Sequence, residues 1–181
     1  MATFTERMIG AAKLDVATYE EVEADTTATG QAMLVVVLSS VAAGIGALGS
    51  MGIVGLLVGT IGALVGWFIW AGLIFIIGTK ILPEPQTEAD MGQLLRTIGF
   101  ASSPGILRLL GFIPVLGTML SFAVAIWMLV ATVVATRQAL DYKSTGRAVA
   151  VCAIGFVVYV VVSVVIGSIL GLGAMAGASV S

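Results

Sequence analysis

Residues 54–79 read VGLLVGTIGALVGWFIWAGLIFIIGT, twenty-six positions without a charge, in which glycine interrupts an aliphatic and aromatic run. A helix of that length rises about 39 Å at 1.5 Å per residue, more than the roughly 30 Å of hydrocarbon in a bilayer. The stretch is predicted to be a membrane-spanning helix. Its surroundings follow suit: apart from Arg108, the uncharged blocks run over 31–79, 97–136 and 148–181. All other charges fall in 1–30, 80–96 and 137–147. At 10% charged and 59% hydrophobic, against about 25% charged in a soluble domain, the chain cannot cover a water-facing surface. The sequence predicts an all-α integral membrane protein.

One span needs about 20 apolar residues, so the three blocks hold two, two and one. The first block breaks at Gly49-Ser50-Met51-Gly52, giving spans near 31–48 and 54–79. The second bends at Pro114, giving 97–115 and 117–136, and the third span covers about 148–171. The predicted organisation is a cytoplasmic amphipathic arm over 1–30, a five-helix transmembrane domain over 31–171, and a short external tail over 172–181.

Five spans place residues 1–30, 80–96 and 137–147 on one side. That side then holds Arg7, Lys13, Lys80, Arg96, Arg137, Lys143 and Arg147, and the other side's loops hold no Lys or Arg. Cytoplasmic loops carry the Lys/Arg excess. The expectation is an inner (plasma) membrane protein with a cytoplasmic N-terminus and an external or periplasmic C-terminus. A re-entrant 97–115 would put the three cations of 137–147 outside, which disfavours it. The polar start of the chain does not resemble a cleaved signal, so the first span should direct its own insertion.

Several chemistries are disfavoured by composition. There is no histidine, and Cys152 is the sole cysteine. His-based metal sites and Ser–His or Cys–His pairs are therefore not expected, nor is an intramolecular disulfide. No cofactor or metal site is expected. A net charge of −2 without a basic cluster disfavours nucleic acid as a partner. The glycine runs lack the GK[ST] ending of a phosphate loop.

The cytoplasmic segments carry helix signals. Phe4, Met8 and Ile9 suit a short interfacial helix over 3–14. Thr18-Tyr-Glu-Glu21 has capping-box spacing and predicts a second helix start, carrying Glu20, Glu21, Glu23 and Asp25 as a solvated acidic face. Thr87-Glu-Ala-Asp90 predicts a third, with Met91, Leu94, Leu95 and Ile98 on one side.

Within the spans, Arg108 lies 11 residues past Thr97, about 16 Å along a straight helix and near mid-bilayer. An Arg there costs roughly 2.5–3.5 kcal/mol on insertion scales. No carboxylate occurs in the spans to pair with it. Pro104 and Pro114 are predicted helix breaks, so Arg108 is either structural, snorkelling or serving freed carbonyls, or it binds an anionic ligand. Gly55, Gly59, Gly62 and Gly66 form a stripe on the second span, and Ser163, Gly167 and Gly171 repeat the idea on the fifth. Such stripes let helices approach closely, either within the chain or as the face for a membrane-protein partner or second copy. Trp67, Trp70 and Trp127 suit helix interfaces or lipid contact.

The order of these pieces resembles the bacterial branch of the Yip domain family, five-span membrane proteins named for interaction with Ypt/Rab proteins. The resemblance is carried by Leu14–Asp25, by Thr29-Gly-Gln-Ala-Met33 leading into the first span, by Leu94–Gly105 with its GFAxxP passage, and by Ser144-Thr-Gly-Arg-Ala148. It implies five helices and a cytoplasmic N-terminus. The extended motifs of the eukaryotic, Rab-linked members do not occur here, so that role does not follow.

The functional expectation is a non-enzymatic membrane protein acting through helix contacts, as scaffold, assembly factor or accessory subunit of a complex in the lipid bilayer. The alternative is a transporter or permease component binding an anionic ligand near Arg108.

Overall fold

The computed structural model describes residues 2–46, 48–113 and 116–178, and every regular element in them is helical. Helix α1 (Phe4–Ala12) begins where Thr3 and Glu6 close a capping box. Helix α2 (Val16–Ala24) begins at Asp15, whose carboxylate accepts from the Thr18 N–H. The helix therefore starts three residues before the expected Thr18: Asp15 is the cap, and its other bond is to the Thr18 hydroxyl (2.7 Å). A 3₁₀ turn (Thr26–Ala28) leads into α3 (Thr29–Gly46). Helix α4 (Leu48–Ile76) runs into a π-helical turn (Ile77–Ile81). Helix α5 (Met91–Ala101) starts with an Asp90–Gln93 capping box, α6 covers Leu116–Ala139 and α7 covers Thr145–Ala178.

The turn expected near Gly49–Gly52 pivots on Gly52, with φ 62° and ψ −174°. That backbone region is open essentially to glycine alone. Four helical stretches are long and apolar enough to cross a membrane: Thr26–Gly46, Gly52–Ile81, Gly117–Ala139 and Thr145–Val165. The segment expected as the third span, 97–115, is instead composite. Helix α5 ends at Ala101, and a 3₁₀ helix (Ser103–Phe112) continues with Pro104 in its first turn. Proline lacks an N–H and collides with the carbonyl four residues back, so the α ladder cannot pass it. Pro114, the other predicted break, lies outside the described residues.

The composite segment lies along α3 in the same direction. A Cβ built on Gly99 would stand 2.7 Å from the Ala32 Cβ, one on Gly105 would overlap the Ser39 hydroxyl, and Gly111 meets Gly46. The absence of side chains at these three positions sets the spacing of the two backbones. Arg108 comes level with the end of α3 as a result. Its carbonyl abuts Gly46, the last residue of α3, about 26 Å along that helix from Thr29. A 3₁₀ helix rises about 2.0 Å per residue rather than 1.5 Å, which carries Arg108 past the middle.

Packing is uneven along the bundle. Tyr19, Val22, Leu94 and Phe100 are fully buried where α1 and α2 dock on α5, and Ile74, Ala131, Ala135 and Val151 continue that core between α4, α6 and α7. Rather than lying alone, α1 and α2 pack on each other and on α5. Toward the other end, Val54 is 74% exposed and Met119 67% exposed. Side chains of this kind are at home against lipid, where helices associate by packing and hydrogen bonds rather than by a hydrophobic drive.

Candidate functional site

Two features stand out: a polar layer at the α1 end, and a groove among the apolar helices. In the layer, Arg7 is only 2% exposed and reaches two carboxylates, Glu21 (3.0 Å) and Asp25 (2.8 Å). It also donates to the Gln31 side chain at 3.1 Å, tying α1 to α3. Residues 21 and 25 are four apart, which puts their side chains on one side of the chain's helical path. The Glu21 carboxyl is held below its ordinary value by the Ala2 N–H and then by Arg7. Asp25 is lowered by Thr27 first and Arg7 second. Burial opposes the Arg7 charge, but the two carboxylates outweigh it and the guanidinium is pushed up. The solvated acidic face expected here is thus half committed to one buried cation.

Arg96 is buried as well. Its Nε donates to the Val22 and Glu23 carbonyls (3.1 and 3.0 Å), and Nη2 donates to Glu23 too. These are the last carbonyls of α2, which have no partner within the helix, and a cation suits that end. Glu23 itself accepts from Gln93 at 3.1 Å. Its carboxyl is pushed up to about 7, mainly by burial and then by Asp141, with Arg96 opposing and Glu20 and Asp90 adding to the rise.

The loops after α4 and α6 interlock. The Tyr142 hydroxyl lies 2.9 Å from the Gly78 carbonyl and 2.7 Å from that of Leu82. Arg147 donates to the Pro83 carbonyl (2.7 Å) and pairs with Glu84 (3.5 Å), and the Lys143 N–H donates to Glu84 (3.0 Å). Arg137 turns onto its own loop at Tyr142 and Lys143. The charges of these loops are the fasteners of this layer.

The groove, of about 750 Å³, opens among α3, α4, α6, α7 and the 3₁₀ helix. Gly55, Gly59 and Gly66 of the stripe line it, with Arg108 and the aromatic rings of Trp67 and Tyr159. A Cβ on Gly59 or Gly62 would meet nothing within 4 Å, while one on Gly66 would stand 3.0 Å from the Tyr159 hydroxyl. At Gly59 and Gly62, then, no helix is seated on the stripe among the described residues. Ser163 is exposed, and the surroundings of Gly167 and Gly171 lie outside the described residues. Arg108 is half-buried, and its side chain makes no hydrogen bond or ion pair among the described residues.

Trp67 donates to the Leu95 carbonyl (3.1 Å) and Trp127 to that of Ala12 (2.7 Å). Both rings therefore bind elements together, as helix-interface tryptophans do. Among the described residues, no group of three acidic or cysteine side chains converges to hold a metal ion.

Comparison with known proteins agrees with this architecture of apolar helices. A family model for the Yip1 domain matches residues 16–178, from α2 through α7 and leaving α1 outside. No curated protein and no solved structure gives a significant match. With a family model spanning nearly all of the described helices, the chain belongs to the Yip1 domain family of membrane proteins.

Proposed function

We propose that this Yip1-domain chain is a non-catalytic, five-crossing protein of the inner (plasma) membrane, and that it works by contact as a scaffold, assembly factor or accessory subunit. The fifth crossing is supported by register: Gly99, Gly105 and Gly111 fall against Ala32, Ser39 and Gly46 in order. Five residues of α helix and ten of 3₁₀ helix span about 28 Å, close to the hydrocarbon thickness. On that count the cation-bearing segments share the cytoplasmic side with the N-terminus, and the C-terminus lies outside.

The observation that carries the contact reading is where the arginines of the polar layer go. Arg7, Arg96, Arg137 and Arg147 all bond to carboxylates or carbonyls of their own chain. The layer is built to hold a shape, with its charges consumed in doing so, rather than to present a reactive group. A pre-organised surface of this kind lowers the ordering cost of binding.

Extraction in mild detergent after crosslinking in the membrane, followed by identification of attached chains, tests the proposal. A stoichiometric partner, or a second copy, is the expected result. Recovery of uncrosslinked monomer from native membranes would sink it.

A further inference from the structure

The groove holds Arg108, the arginine without a hydrogen-bond or ion-pair partner among the described residues. Its floor and walls are mostly apolar and glycine-lined, from Gly55 past Gly59 to Trp67 on α4 and at Phe156 on α7, and the Ser40 and Thr132 hydroxyls on it donate to carbonyls of their own helices. Along α4, Gly55 to Trp67 covers about 18 Å, slightly more than one bilayer leaflet of about 15 Å. Arg108 stands at the end of that path where α3 finishes, level with Gly46. The other end closes near Trp67, Ile98 and Thr132, where the tightly packed core begins. The groove is therefore a slot one leaflet deep, cationic at the membrane surface and apolar below.

We propose that this slot binds a phospholipid of the leaflet opposite the polar layer, with the phosphate at Arg108 and one acyl chain lying along Gly55, Gly59 and Gly66. Charge complementarity requires an anion from outside the chain, since no Asp or Glu lies in the uncharged blocks around Arg108. A guanidinium matches phosphate oxygens in a fork geometry. The apolar lining favours an anion that brings its own hydrocarbon over a free ion, which would leave the slot below Arg108 unfilled. A partner helix would have to bury a carboxylate to satisfy Arg108, at a cost a phospholipid headgroup at the surface does not meet. The open space above Gly59, where a Cβ would meet nothing within 4 Å, leaves room in the slot for an acyl chain. This site is independent of the contact function proposed above, and either can fail alone.

The test is native mass spectrometry of the full chain in detergent with dioleoyl phosphatidylglycerol, dioleoylglycerol or inorganic phosphate. Arg108→Gln removes the charge, and Gly59→Leu places a side chain in the slot from a position where a Cβ meets nothing within 4 Å. Melting curves of both variants check that they remain folded. The wild type should retain phosphatidylglycerol, and Arg108→Gln should weaken that retention about tenfold or more, as loss of a charge-assisted bond implies. Gly59→Leu should weaken retention of both phosphatidylglycerol and dioleoylglycerol, whereas Arg108→Gln should spare the latter. Unchanged phosphatidylglycerol retention in folded Arg108→Gln overturns the proposal. So does inorganic phosphate binding as tightly as the lipid. A protein chain lost on Gly59→Leu while lipid retention stays constant would assign the slot to a helix instead, and would also overturn it.

Discussion

Removing Arg7 should release the α1 arm while leaving the membrane helices assembled. Three acceptors converge on this one guanidinium from α2, from the residue after it, and from α3. Arg7→Gln keeps the length and some hydrogen bonding but deletes the charge that Glu21 and Asp25 share. Breaking a fully buried pair costs about 3–5 kcal/mol. Glu21 is 34% exposed in its side chain, although Asp25 is only 10% exposed. The arm is thin and water lies close, so about 1–3 kcal/mol is the sounder expectation. Because the loss falls on a local opening, amide exchange in α1 and α2 should speed up roughly 5- to 150-fold, with α4 and α6 unaffected. Arg7→Lys, which keeps the charge, should recover part of the protection. The pH dependence fixes the cause. Both carboxyls sit below their ordinary values in the folded chain, so the wild-type arm is held fully above the ordinary carboxylate range and loosens as pH falls through the lowered values. In Arg7→Gln, protonation instead relieves repulsion between the two acids, and acid should slow the exchange per opening rather than add to it. Unchanged protection of Phe4–Ala12 in Arg7→Gln would refute the reasoning, since hydrophobic docking through Phe4 and Ala11 would then suffice.

Glu23 predicts the opposite slope. With its carboxyl raised to about 7, the folded chain holds a proton that the unfolded chain releases near 4.5, so this group's favourable contribution is present below about 4.5 and lost as pH rises through 7. Glu23→Gln should stabilise the chain in detergent at alkaline pH by about 1–2 kcal/mol after solvent screening, read as a raised thermal midpoint, and the gain should vanish in acid; a constant difference at all pH would exclude the titration. Two glycines of the apolar region should respond in contrast: Gly99→Ala drives a methyl into Ala32 and should cost about 1–3 kcal/mol, whereas Gly59→Ala meets no atom within 4 Å and should leave the thermal midpoint unchanged. Reporter fusions at Gln86 and Ser144 should read cytoplasmic and a fusion at the C-terminal end external; a cytoplasmic reading there would remove the five-crossing proposal.

What the sequence reveals and conceals follows from which physics is local. Four long apolar helices were legible because hydrocarbon excludes charge over any run long enough to cross, and the blocks 31–79 and 148–181 announce themselves without any tertiary information. Helix starts with an acidic or hydroxyl cap were legible to within a few residues. Thr18 competed with Asp15 for the α2 cap, and the stronger acceptor, three residues earlier, prevailed. The composite path through Pro104 was half legible: proline marks the break, but only packing against Ala32 and Ser39 selects a 3₁₀ continuation over a kinked α helix, and that choice moves Arg108 level with the end of α3. The polar layer was the least legible part. Arg7, Arg96 and Arg147 look like flanking charges because each partner is remote in sequence, 73 residues away for the Arg96–Glu23 bonds. One local clue existed: Glu21 and Asp25 share a helical side, and an arginine sits one short helix earlier at Arg7. The glycine stripe shows the limit most clearly. Its spacing points to a smooth surface on α4, and a Cβ on Gly59 or Gly62 would meet nothing within 4 Å, but spacing is silent on what lies against it. The answer depends on Arg108, forty-nine residues further on, brought to the mouth of the same groove by a helix that proline forced out of the α form.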